Sequence, residues 1–252
     1  MKPLETDLSI FKKFKFEKQP VAINYCFHKP EGVARLDKSL GFCEMVKEAQ
    51  QRGKPFYFDK DTENCVGKMF LGMIDGGGAF RSDGGQLGVK LQVYRDGRAN
   101  LHMRSLIPHV EKGAVNYVVY TPFDQIKYEP DVFVIVGSLD QAEVVLRSMA
   151  YSTGDMYESR TTAVASCAQM YIYPYLSGKM NYLVADLAYG MKGRKVFPGG
   201  WTIVSIPQRL LHTITQNLKE MEWVPGYNET RDGFVERDAR ATQENIREAQ
   251  NP

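Results

Sequence analysis

Four cysteines, Cys26, Cys43, Cys65 and Cys167, are the residues of this 252-residue chain with the widest chemical scope. A thiolate is both a nucleophile and a soft metal ligand, and either use needs surroundings that favour the charged form. Asn64 precedes Cys65 and Ser166 precedes Cys167, and helix-compatible residues follow each. Both cysteines therefore read as first-turn helix residues, where backbone N–H groups and the helix dipole favour a thiolate. Cys43 lies on the apolar stripe Leu36, Leu40, Cys43, Val46 and Ala49, which taken alone marks a small core hydrophobe. Cys26 ends a β-branched and aromatic run at 20–27. The sequence holds no Cys-x-x-Cys pair, so zinc ribbons and ferredoxin-type runs drop out as local motifs, and any cluster has to be assembled from distant segments.

Other chemistries find less support. Seven glycines fall between Gly72 and Gly88, but no Gly-Lys-Ser/Thr ending or three-glycine dinucleotide spacing accompanies them, so the stretch reads as a surface loop or lid. The four histidines show no His-Glu-x-x-His spacing and no serine sits in a Gly-x-Ser-x-Gly elbow, which leaves hydrolase triads without a basis. The carboxylates form no pattern from which a glycosidase pair could be chosen. Tyr171, Tyr173, Tyr175, Lys192 and Arg194 follow Cys167 in sequence and suit a pocket for an anionic organic ligand; the competing reading for the tyrosines is sheet packing.

The elements that must position these residues are those of an α/β fold, a mixed sheet flanked by helices in a single large domain or one with two lobes. Strands are expected at 20–27, 55–58, 115–120, 131–136, 183–189 and 202–206, and helices at 8–16, 36–51, 139–150 and 210–221. Ser138 and Asp140 serve as caps for the third of these helices, which follows its strand directly, as α/β folds do. Residues 1–225 form the α/β domain, and 226–252 a charged tail or solvated helix with six acids against four arginines from Tyr227 onward. The chain's 32 basic and 30 acidic residues leave +2, too little to argue for nucleic acid or an anionic membrane. The charged N-terminal residues give no secretory signal, and the longest apolar runs are strand length, so a cytoplasmic protein without a membrane span is expected.

Several runs together resemble one family: Lys29-Pro30-Glu31-Gly32, Phe42-Cys43-Glu44-Met45, Gly53-Lys54-Pro55-Phe56-Tyr57, Asn64-Cys65-Val66-Gly67, Ser166-Cys167-Ala168, Tyr173-Pro174-Tyr175-Leu176-Ser177-Gly178 and Gly190-Met191-Lys192-Gly193-Arg194. Over residues 20–225 the chain is similar to domain-of-unknown-function family 169, uncharacterised proteins of archaea and anaerobic bacteria. The resemblance implies three recurring cysteines, here Cys43, Cys65 and Cys167. Three thiolates would suit a [4Fe-4S] cluster with one iron left for redox or Lewis-acid chemistry, and Cys26 as a fourth ligand would instead make it an electron carrier or a structural staple. Tyr173, Tyr175, Lys192 and Arg194 stand as residues for the accompanying ligand. The expected partners are a small molecule or a redox protein. Two rivals stay open: a thiol enzyme with Cys65 or Cys167 as nucleophile, and a binding or assembly protein whose tail docks on a partner or on a second copy of the chain.

Overall fold

The structure, a computed structural model, describes residues 1–62, 67–75, 87–224 and 231–250. Seven strands, β1 (Val21–Cys26), β2 (Ala34–Arg35), β3 (Phe56–Asp59), β4 (Tyr117–Pro122), β5 (Val132–Gly137), β6 (Asn181–Val184) and β7 (Thr202–Pro207), form one mixed sheet in the order β2-β3-β4-β1-β5-β7-β6. The β2–β3 pair is parallel and all other pairs are antiparallel. The helices are α1 (Met45–Arg52), α2 (Gly67–Phe70), α3 (Leu87–Lys90), α4 (Gly97–Ser105), α5 (Leu139–Ala150), α6 (Tyr173–Ser177), α7 (Tyr189–Gly193), α8 (Gln208–Glu220) and α9 (Arg231–Gln250). Among the described residues, no helix is long and apolar enough to cross a membrane.

The central strands are apolar at nearly every position because both faces of the sheet are covered. Alternation divides them. Val21, Ile23, Val132, Val134, Val136 and Ile203 join one core with α1, α2 and the segment before α6, and this core includes Cys43 and Cys167. Phe133, Ile135, Val204 and Ile206 take the alternate positions. On their side Phe11 meets Phe133 at a ring separation of 4.9 Å, and α5 packs on β5 and β7. Ser138 caps α5 in a reciprocal box with Gln141, so the cap read from the sequence is present. Residues 220–252 form a second unit, in which α9 pairs Arg240 with Glu236 and leaves Val235 and Ile246 exposed.

Three expected elements differ. The helix expected over 36–51 starts only at Met45, after a short 3₁₀ turn at Phe42–Glu44. Gly41 is extended, with φ −70° and ψ 151°, and the Glu44 carboxylate accepts its N–H at 2.7 Å, while the Leu36 N–H bonds to Tyr57 and prolongs the sheet edge. The apolar spacing of Leu36 and Leu40 thus reflects packing at the edge rather than a helix face. The opening helix is a 3₁₀ turn, Ser9–Phe14. The extended piece expected over 183–189 ends at Val184, where the Ala185 N–H turns to the Trp201 carbonyl and a helical turn follows.

Two polar groups, Asn181 buried and Asp131 partly buried, tie strands to their surroundings. Asn181 donates to the carbonyls of Arg160 and Gln169, at 2.9 and 2.8 Å, and its side-chain oxygen accepts the Arg160 N–H. The Asp131 carboxylate accepts the Tyr25 N–H at 2.7 Å, joining β1 to the start of β5. Burial pushes the Asp131 carboxyl above the usual carboxylate range, and the Tyr25 N–H pulls weakly the other way.

Truncating Asn181→Ala leaves buried groups at Gln169 and Arg160 unpaired and should lower stability by about 3 kcal/mol, seen as a shifted urea midpoint at unchanged slope. The raised carboxyl makes the folded chain the tighter proton binder, so Asp131 lowers stability as pH rises above about 4. Asp131→Asn keeps an acceptor for Tyr25 without the charge. Urea titrations between about pH 4 and 7 should show a flatter stability profile for that variant than for the parent, and identical profiles would contradict the assignment.

Candidate functional site

Cys43 and Cys167, far apart in sequence, line one cavity of about 430 Å³ on the first face of the sheet. Its walls come from Val164 to Cys167, from α7 with its flanks Ala188 and Arg194, and from Leu91. Both cysteines are buried. Cys43 sits in the 3₁₀ turn before α1, whose amides are held by Gly41 and Glu44, and Cys167 sits in the first turn of the helical segment 166–177. The helix start read from Ser166-Cys167 is therefore present.

Pro174 shapes this segment. Lacking an N–H, it cannot pair with the Met170 carbonyl four residues earlier, and the helix widens into a π turn over Ala168–Ile172 with the Tyr173 N–H on Ala168. Two carbonyls of the widened turn take side-chain donors instead: Gln169 from Asn181 at 2.8 Å and Tyr171 from the Tyr25 hydroxyl at 2.7 Å. Immediately before the helix, Ala165 adopts φ 62°, a left-handed conformation that costs a non-glycine residue roughly 1 kcal/mol. Ser166 bonds back to the Thr162 carbonyl, and the Tyr189 N–H bonds to Ala163, so this strained corner is fastened to α7.

The electrostatics centre on Arg194 and Tyr171. A Cβ placed on Gly41 would lie 3.0 Å from Glu44 Oε2, 3.5 Å from Cys43 Sγ and 3.6 Å from Arg194 Cζ, so the sulfur shares one neighbourhood with both members of an ion pair. Arg194 Nε lies 3.5 Å from the Glu44 carboxylate, and Nη1 donates to the Gly190 carbonyl at 3.3 Å. Tyr171 is fully buried, packs edge-on against Phe42 at 5.0 Å, and leaves its hydroxyl with no hydrogen-bond partner among the described residues. Burial first, and then Cys43, Cys167 and Tyr25, push this phenol well above the ordinary tyrosine value, so it remains a proton donor.

Of the residues proposed from sequence, the cavity gathers Cys43, Cys167 and Arg194. Cys65 lies outside the described residues, although Gly67, two positions on, packs so closely on Phe42 that an added Cβ would fall 2.7 Å from the ring. Tyr173 lies under the Arg160 guanidinium, Tyr175 meets Tyr25 in a tilted ring pair at 4.6 Å, and neither these two nor Lys192 is in the cavity lining. Cys26 closes β1 beside Asp131, where burial and then that carboxylate push its thiol up. Among the described residues, no three His, Cys, Asp or Glu side chains are placed to hold one metal ion. Sequence reasoning missed Ala165, Tyr189 and Met191 as wall residues. The Gly190-Met191-Lys192-Gly193-Arg194 run was noticeable, but nothing in it told which side chains turn to the thiols.

A protein of Methanocaldococcus jannaschii, "Uncharacterized protein MJ0308", is 25% identical over 209 residues, covering 79% of this chain and 85% of the relative. No solved structure is a significant match. Residues 9–217, which carry both described cavity cysteines and Arg194, match the family described as an uncharacterised ArCR group, and the chain belongs to that family, domain-of-unknown-function family 169.

Proposed function

We propose that Cys43 and Cys167, joined by Cys65, hold an iron–sulfur centre at the floor of this cavity and that the protein acts on a small organic ligand seated above it. The observation that carries the reading is that Cys43 and Cys167 line the same cavity. Two further observations support it. The close seating of Gly67 on Phe42 fastens the chain two residues from Cys65 beside Cys43. Among the described residues the buried Tyr171 hydroxyl has no acceptor, and a buried phenol donor suits a thiolate or cluster sulfur, whose potential hydrogen bonds adjust.

Three soft thiolate donors fit a [4Fe-4S] group, and they leave one iron without a protein thiolate. When bound, such a group supplies redox or Lewis-acid chemistry. The protein's own part is to bring Cys43 and Cys167 to one cavity and to shield them from bulk water with Val164, Ala188 and Met191. A second reading, a thiol enzyme, is favoured by one specific feature, the place of Cys167 in a first helical turn beside an open cavity.

Protein purified without oxygen should be brown and carry about four iron and four sulfide per chain. Cys43→Ser and Cys167→Ser should each lose most of both while their melting curves keep a cooperative transition. Iron-free protein after anaerobic reconstitution, or full iron in the double variant, overturns the reading; a single fast-alkylating Cys167 in that iron-free protein would establish the second one. Gly67→Ala forces Phe42 aside, at a cost of about 1–3 kcal/mol, and should lower the iron content by moving the turn that carries Cys43.

A further inference from the structure

Arg194 is the one formally charged side chain among the described residues that line the cavity, and the surfaces around it, from Leu91, Val164, Ala188 and Met191, are apolar. This is the arrangement of a small-molecule site, where apolar walls supply affinity and few polar groups fix orientation. Glu44 holds the guanidinium by its Nε side at 3.5 Å, and Gly190 takes Nη1 at 3.3 Å. Nη2 has no acceptor among the described residues. The orientation is thus set from behind, and donors of the planar fork remain for a guest.

We propose that the cavity binds a small monocarboxylic acid, with its carboxylate on the Arg194 fork and its acyl or aryl body against Leu91, Val164 and Met191. Charge chooses the monoanion. Glu44 stands against the half-exposed Arg194 guanidinium, so a singly charged carboxylate is balanced by hydrogen bonds and geometry, whereas a phosphate dianion would bring a second negative charge beside Glu44 and against apolar walls. Planarity points the same way, since guanidinium and carboxylate match as two parallel hydrogen bonds. With the acid anchored there, its body lies beside Cys43 and Cys167. The proposal names the ligand of the cavity on which the metal reading also rests, and it needs no metal.

The test is calorimetric titration of the purified chain with hexanoate, with hexanamide and with inorganic phosphate, alongside iron analysis of the same preparation. Hexanoate should bind roughly 10- to 100-fold more tightly than hexanamide, the range of a charge-assisted pair, and phosphate should bind no better than the amide. Arg194→Leu should abolish the difference between acid and amide, and Arg194→Lys should retain part of it, since a point charge keeps attraction but loses the fork. Equal binding of acid and amide by the parent, no binding of either, tighter binding of phosphate than of hexanoate, or an undiminished preference in Arg194→Leu overturns the proposal. Because the parent comparison needs no variant, a folding defect at position 194 does not rescue it. Iron-free protein that prefers hexanoate rejects the metal centre alone, and iron-loaded protein without that preference rejects the acid site alone.

Discussion

The site depends on a missing N–H. Pro174 removes one hydrogen bond from the helix that begins at Ser166, and the backbone answers by opening a π turn in the most buried part of the segment. Buried carbonyls without donors would cost about 1–3 kcal/mol each, so the widened turn is tenable only where side chains reach it. Asn181 on β6 and Tyr25 on β1 do so. These strands lie on opposite sides of the β5–β7 pair, so the two hydrogen bonds fasten the Cys167 helix at separated points of the sheet. A helix pinned in this way holds its first turn in place, and the strain at Ala165 is sustained by the same fastening.

Given that fixed wall, the opposing wall need only be adjusted. Glu44 performs two tasks with one carboxylate, closing the turn that carries Cys43 through the Gly41 N–H and orienting Arg194 from α7. A Cβ at Gly41 would meet the Glu44 oxygen at 3.0 Å, so the carboxylate would have to give by a few tenths of an ångström, and it would only touch the sulfur and the guanidinium, at 3.5 and 3.6 Å. The cation, the thiol and the turn are therefore one unit rather than three neighbours.

The central strands could be read from sequence because their signal is local: a sheet covered on both faces needs continuous apolar runs, and 131–136 and 202–206 are such runs. The cap at Ser138 was equally local. The helix expected across Leu36 to Ala49 shows where periodicity misleads, since a three-to-four spacing cannot tell a helix face from buried residues on a strand edge and a turn. At the site, the helix start at Cys167 was readable from Ser166, and Arg194 was singled out for its charge. The π turn was not foreseen although Pro174 was in plain view, because whether a helix breaks or widens at proline is decided by donors from elsewhere, here Tyr25 and Asn181. The separation of Tyr175 from the cavity is likewise tertiary. It packs at a tilt on the Tyr25 ring, whose hydroxyl makes the hydrogen bond that holds Tyr171.

That same geometry bears on Cys26, the cysteine that would complete a four-thiolate set. Tyr25 and Tyr175 stand with it beside Asp131, and burial together with that carboxylate raises the thiol above its ordinary value. Metal binding requires the thiolate, so a ligand held protonated by its surroundings is penalised by the proton it must release. Cys43 and Cys167 share one cavity, and Cys26 is not in its lining. Within the proposed centre, the electrostatics accordingly favour three protein thiolates over four, which is the arrangement that leaves one iron available to a ligand in the cavity.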